Sequence, residues 1–245
     1  MPNYKLILQY DGSRYRGWQR LQNTDLTVQG KLESVLSRVF DEAVEVSGSG
    51  RTDAGVHALA QTASFRTVRD LPPEQVLAAL RRWLPEDVGA VSLCYAPPRF
   101  HARLSAVEKT YRYRVWNSEA PCVFDRRFVY VFPAPLDLEA MRRAAEKLTG
   151  THDFRVFSAD RTKKSTVRTL KTLRVERVGE EIRFTLTGDG FLHRMVRILV
   201  GTLLEIGRAD RPPEDVVALF AGAERAEAGF TVPAKGLCLT EVRYE

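Results

Sequence analysis

The chain has 245 residues, 44% of them hydrophobic, enough for one large or two small domains with a sizeable core. No apolar run approaches the roughly 20 residues that span a bilayer, and the three cysteines, Cys94, Cys122 and Cys238, are too few and too scattered for a disulfide framework or a C-x-x-C metal site. The formal net charge of +6 points to a polyanionic partner such as nucleic acid. The opening MPNYKLILQYDG is interrupted at once by charged and polar residues, unlike a secretory leader, so a cytoplasmic protein with no membrane association is expected.

In chain order, Asn3 to Tyr10 alternates, with Tyr4, Leu6, Leu8 and Tyr10 on one face, and Asp11-Gly12 ends this strand in a turn. A polar loop holding Gly17-Trp18-Gln19-Arg20 follows. Val28, Leu32, Val35, Leu36 and Val39 then keep helical spacing behind Thr27 as a cap. Val44 to Ser47 reads as a short strand and Leu59 to Arg66 as another. Between them lies SGSGRTDAGVHA, where Gly48, Gly50 and Gly55 bracket the carboxylate of Asp53.

Gly50 to Gly55 has the spacing of a phosphate loop, but Val56 and His57 stand where Lys and Ser/Thr are needed. Gly48-x-Gly50 begins like a dinucleotide fingerprint, but Asp53 occupies the place of the third glycine and would repel a pyrophosphate. Two readings stay open: a plain glycine turn whose Asp bonds its own backbone, or a poised carboxylate serving as base, ligand or nucleophile, its ionised form favoured by Arg51, Thr52 and His57 nearby.

Pro72 and Pro73 open a helix carrying Val76, Leu77, Leu80 and Leu84, and Val88 to Tyr95 is a strand. Pro97-Pro98 marks a joint. Beyond it Thr110 to Trp116 places Tyr111, Tyr113 and Val115 on one face and Arg112, Arg114 and Trp116 on the other, an interleaving that suits RNA and also plain strand formation. Phe128 to Phe132 reads as a strand, and Leu138 to Leu148 as a helix closed by Gly150. The basic run Arg161, Lys163, Lys164, Arg168, Lys171 and Arg174 reads either as a phosphate-contacting loop, slightly the favoured reading, or as a solvated edge. A hairpin, Leu170 to Arg177 and Glu181 to Thr187, turns at Gly179. Phe191 to Ile206 is the most apolar helix, with His193 and Arg197 as i, i+4 cations of which at least one is expected to be partly buried. A helix over Pro212 to Phe220 and a strand over Leu237 to Tyr244 end the chain.

The first half reads βαββαβ and the second repeats it more loosely. The expected fold class is α+β: two similar ferredoxin-like (split βαβ) domains, residues 1–98 with the Asp loop and 99–245, with mostly antiparallel sheets, helices on one face and an active-site cleft between the domains.

Taken together, YDGSRYRGWQRLQNTDLTVQGKLE, GSGRTDAGVHALAQTASF, FHARLSAVEKTYRYRVWN, FLHRMVRILVG and GLCLTEVRYE resemble the tRNA pseudouridine synthases of the TruA family, from Tyr10 to Glu245. The resemblance implies a cofactor-free, metal-free isomerase that converts uridine to pseudouridine in the anticodon stem-loop of tRNA, around positions 38 to 40, as a homodimer. It implies Asp53 as the catalytic nucleophile or base, Tyr111 as the ring packed on the target base, and Arg197 as the partner of Asp53. Arg51, Arg103 and Arg112 are the implied RNA contacts.

The chemistry matches the residue types. Moving the base from an N1 to a C5 linkage is redox neutral, and His57, His101, His152 and His193 are scattered rather than clustered as metal ligands. The rival from another class is a non-catalytic RNA-binding protein, which has no use for a carboxylate in a positive groove. A metal-dependent nuclease needs two or more convergent carboxylates, and the loop offers one.

Overall fold

The protein is described from a computed structural model covering all residues except 161, 163 and 164. Its elements are β1 (Asn3–Tyr10), α1 (Val28–Phe40), β2 (Val46–Gly48), β3 (His57–Arg66), α2 (Pro73–Trp83), β4 (Val88–Tyr95), β5 (Ala106–Trp116) and β6 (Tyr130–Val131). There follow α3 (Leu138–Leu148), β7 (Gly150–Asp153), β8 (Val167–Val178), β9 (Glu181–Gly188), α4 (Met195–Gly207), the short α5 (Asp215–Ala218) and β10 (Leu237–Tyr244). The fold class is α+β with mostly antiparallel pairing; the pairs of β10 with β3 and of β5 with β6 are the parallel ones among the described residues. No helix of the described residues is long and apolar enough to cross a membrane.

The chain divides into two compact units, Met1–Val107 with Cys238–Glu245, and Glu108–Leu237. The joint expected after Pro98 falls inside the first unit. The physical cause is a set of ties on Pro97 to Ala102: Asn3 Nδ2 donates to the carbonyls of Pro97 (2.8 Å) and Phe100 (2.9 Å), and the Ala102 N–H reaches Ser64 Oγ at 3.0 Å. The last strand also belongs to this unit, where Cys238 and Leu239 pair in parallel with His57 and Ala58.

In the first unit β1 lies between β4 and β3, and β2 adds to β3, all antiparallel, which is the split-βαβ order. The alternation of β1 places Tyr4, Leu6, Leu8 and Tyr10 in the core. Tyr4 stacks on Phe65 (centroids 5.0 Å) and meets Phe40 of α1 at 5.7 Å. Thr27 caps α1 as expected, through Oγ1 to the Gly30 N–H. The buried face of α1 differs from the apolar stripe: Gln29, Glu33 and Phe40 are buried, whereas Val35 and Val39 are half-exposed. Cys94 is exposed on β4.

In the second unit the strand order is β5-β9-β8-β7, with β6 beside β5. Here β9 lies between β5 and β8, as β3 lies between β1 and β2 in the first unit, with β7 added beyond β8, so these strands follow the same split-βαβ order in both units. Gly179, at φ 59°, makes the β8–β9 turn. Tyr113, Val115, Ile182, Phe184 and Leu186 are buried, with Met141 and Leu148 of α3 and Leu199 and Leu203 of α4 completing the core. Arg168, Lys171 and Arg174 lie on β8, not on a loop, and Lys171 pairs with Glu108 at 2.6 Å; Arg161, Lys163 and Lys164 lie outside the described residues. Gly150, at φ 113°, directly follows Thr149, the C-cap of α3, and opens β7. The apolar helix begins at Met195, because Arg194 sits in the left-handed region (φ 61°), so His193 precedes the helix and is not an i, i+4 neighbour of Arg197 on it.

Candidate active site

Asp53 lies on an irregular stretch between β2 and β3, half-buried, with Arg51 exposed and Thr52 buried beside it. Backbone bonds fasten the stretch to the Gly12–Trp18 loop: the Trp18 N–H donates to Thr52 O (3.1 Å), and the Gly55 N–H donates to Tyr15 O (3.3 Å). A turn is closed by the Val56 N–H on Asp53 O at 3.1 Å. From the other side, Gln61 on β3 donates through Nε2 to Gly50 O (3.0 Å) and accepts from Ser49 Oγ at 2.6 Å. Thr52 Oγ1 lies 2.9 Å from Tyr10 OH. The Gly12 N–H donates to His57 Nδ1 at 3.0 Å, so the 3.2 Å approach of Asp11 to the same nitrogen is proximity rather than a second hydrogen bond.

Close approach explains the glycines. A Cβ on Gly17 would stand 2.7 Å from Thr52 O and 3.2 Å from the Asp53 carbonyl carbon, and Gly17 has φ +104°. A Cβ on Gly48 would enter the Trp18 indole at 2.5 Å, and one on Gly12 would meet Val56 O at 2.0 Å. The loop carrying Asp53 is thus pressed between two backbones and an indole. Sequence reasoning had located the glycines beside Asp53 but missed Gly12, Gly17 and Trp18 as its supports; Asp11-Gly12 and Gly17-Trp18 were the visible signals.

Arg51 and Arg103 both line one groove of the first unit, about 730 Å³, together with Arg20, Gln29, Glu33 and His101. Arg112 belongs to the second unit, exposed on the face of β5 opposite Tyr111.

Tyr111 and Arg197 are carried by the second unit. Tyr111 is 8% exposed, pairs with Leu186 across the β5–β9 ladder, and meets the Phe191 ring edge-on at 5.1 Å. Tyr113, two residues on, is core: its hydroxyl donates to Pro233 O at 2.7 Å. Burial pushes its pKa up, and the nearby charge of Arg197 works against that shift. Arg197 is the partly buried cation expected in the apolar helix. Its Nε donates to Val232 O (2.8 Å), and the Val232 N–H returns to Arg197 O (3.3 Å). On the opposite face of β5, Arg114 is bound to Glu181 and to Asp125 (3.2 Å), and Arg183 to Glu181 (2.8 Å). Burial works to raise the Glu181 pKa, but these two guanidinium groups outweigh it and hold the carboxyl below its usual range.

The chain matches, over residues 6–103 and 144–245, the family model described as tRNA pseudouridine synthase. It is 41% identical over 245 residues to proteins named tRNA pseudouridine synthase A from Bacillus sp. (strain KSM-64) and Clostridium acetobutylicum, covering 100% of both chains. The protein of that name from Moorella thermoacetica is 44% identical over 246 residues, again with 100% of each chain covered. Among solved structures, a chain of a Cbf5-Nop10-Gar1 complex aligns with a TM-score of 0.40 and 10% identity, over 96% of this chain and 48% of that one, a likeness too loose to carry an argument.

Proposed function

Because the chain belongs to the tRNA pseudouridine synthase family, we propose that this isomerase acts on uridine in the anticodon stem-loop of tRNA, around positions 38 to 40, with Asp53 as its one catalytic carboxylate. The observation that carries the reading is the Asp53 loop, held by main-chain bonds to the Tyr15–Trp18 segment and by glycines that admit no side chain. Such bracing suits a group that must meet a reacting atom in one geometry.

In the reaction the C1′–N1 bond breaks, the base turns, a C1′–C5 bond forms, the proton on C5 leaves and N1 takes one up, so atoms and electrons balance without an external oxidant. Asp53 serves by attack on C1′, by attack on C6, or by removing a ribose proton to give a glycal, and these routes stay open. The target nucleotide must first leave its stack. Tyr111 is assigned as the platform for the flipped base, Arg197 as the cation that keeps Asp53 ionised and oriented, and Arg51, Arg103 and Arg112 as phosphate contacts. The enzyme is read as a cytoplasmic homodimer that needs neither cofactor nor metal.

The test is pseudouridine formation on an unmodified tRNA transcript in EDTA, with the modified position mapped. Asp53→Asn keeps the shape of the loop; turnover should vanish while tRNA affinity is unchanged or slightly higher, because a carboxylate near phosphates has gone. Turnover by Asp53→Asn beyond what deamidation supplies would end the assignment. Modification confined to another arm of the tRNA would end the choice of substrate site.

A further inference from the structure

The groove of the first unit has a floor that its helix pattern does not explain. Gln29 and Glu33, one turn apart on α1, are buried, at 9% and 5% exposure, on a helix whose other buried positions are mainly apolar. Their bonds interlock. Gln29 Nε2 donates to Glu33 Oε1 (2.8 Å) and to Val46 O (3.0 Å), and the Val46 N–H donates to the same Glu33 oxygen at 3.0 Å. Gln29 Oε1 accepts the Arg20 N–H at 2.9 Å. The second oxygen of Glu33 is sealed from solvent and accepts no hydrogen bond among the described residues; Arg20 Nη1 faces it at 3.0 Å, an ionic contact outside hydrogen-bond geometry.

A neutral glutamine at position 33 would still accept from Val46, so the clip on β2 does not require a charge. Burying a carboxylate is unfavourable unless that charge is used. Here its use is to hold Arg20, whose main chain is fixed by Gln29 and whose side chain, 60% exposed, presents the rest of its planar fork to the groove. Arg51 and Arg103, both exposed, line the same groove. Glu45 is the exposed acid on this rim.

We infer that this groove is a backbone-phosphate subsite for the RNA substrate, with Arg20 as a phosphate-binding residue and Glu33 as the positioning residue that aims it. The inference rests on the proposed function for the identity of the polyanion. It makes an unusual prediction of sign. Taking a negative charge out of an RNA-binding groove should by field alone tighten binding, and Glu45→Gln is expected to do so. Glu33→Gln is expected to weaken binding, because Arg20 loses its anchor.

The experiment measures affinity for an unmodified tRNA transcript against salt, with turnover, for the wild type and for Arg20→Gln, Glu33→Gln and Glu45→Gln. Arg20→Gln should weaken binding roughly tenfold and reduce the slope of log K against log salt by about 0.7 to 0.9, one phosphate contact. Glu33→Gln should reproduce most of both losses, and both variants should raise KM more than they lower kcat. In the double variant the two losses should not add. Wild-type affinity and slope in Arg20→Gln, or tighter binding in a normally folded Glu33→Gln, would overturn the inference. If Glu33→Gln does not fold, Arg20→Gln decides the subsite alone, since its exposed side chain supports no core. If the wild type neither binds the transcript in a salt-dependent way nor modifies it, the proposed function fails; if it does both and Arg20→Gln matches it, only the groove assignment fails.

Discussion

Replacing Gly17 with alanine tests whether the Asp53 loop works because it is pressed into place. The new Cβ would lie 2.7 Å from Thr52 O, against 3.4 Å for an ordinary contact, so one of the two backbones must move by about 0.7 Å (3.4 − 2.7). Gly17 also has φ +104°, strained for an L side chain. If the loop stays put, the strain costs about 1 to 3 kcal/mol and the overlap about 1 to 3 kcal/mol more, less roughly 0.4 to 1 kcal/mol recovered from the stiffer unfolded chain. If the loop yields, Asp53 moves with it, and a displacement near 1 Å lowers a rate by on the order of 10²-fold. Gly179→Ala is the control: at φ +59° it carries strain, but nothing lies within 4 Å of its Cβ. It should cost only about 1 to 2 kcal/mol and leave turnover intact. Chemical denaturation and single-turnover pseudouridine formation read the two quantities. Full stability and full turnover in Gly17→Ala would refute the argument that close approach positions the catalytic carboxylate.

Tyr111→Phe should keep the base-stacking contribution of roughly 1 to 3 kcal/mol, whereas Tyr111→Ala should lose it and also open a cavity beside Phe191, 5.1 Å away; equal inactivity of both would mean that the hydroxyl transfers a proton. Arg197→Met strands the Val232 carbonyl that Nε now holds at 2.8 Å, at a cost of about 1 to 3 kcal/mol, and should abolish turnover. Arg197→Lys should fall between Met and wild type, and a neutral Lys substitution would contradict the need for a planar fork. Tyr244, whose hydroxyl donates to Ala102 O at 2.7 Å, has its pKa pushed up by burial to about 12 from 10.0. Because the folded value is the higher one, this group's contribution to stability is whole below pH 10 and is lost as pH rises from there through about 12. Urea melts should show Tyr244→Phe losing less stability than wild type across that window; equal losses would remove Tyr244 as a cause of alkaline unfolding.

Much was legible in the local pattern. The alternation of Tyr4, Leu6, Leu8 and Tyr10 specifies both the extent of β1 and its inner face, since a period of two leaves one assignment of sides. Pro72 and Pro73 mark the start of α2 for reasons of backbone geometry alone. The RTDAGVHA block, in register with four others, was enough to assign the family.

Other features depended on partners remote in sequence. Gly17 needs its bare Cα because Thr52 and Asp53 come to lie against it, and Gly48 because Trp18 does. Cys238 and Leu239 close the edge of β3 beside His57 and Ala58, placing the last strand with the first unit, a pairing with no local trace. Periodicity also misread α1 and α4. A hydrophobic stripe shows which residues share a face but not what covers it, and the spacing of Val28, Leu32, Val35, Leu36 and Val39 carries no sign that Gln29 and Glu33 are bonded to β2 and Arg20. Composition extended α4 back to Phe191, whereas the left-handed turn at Arg194 starts it at Met195. Residue identity and spacing thus determined which group is chemically equipped to react and which short segments are strands or helices, because those depend on neighbours within a turn or two. Which backbones press on the Asp53 loop, and which buried charge aims Arg20, was decided by tertiary packing alone, because each requires contact between residues that no local period connects.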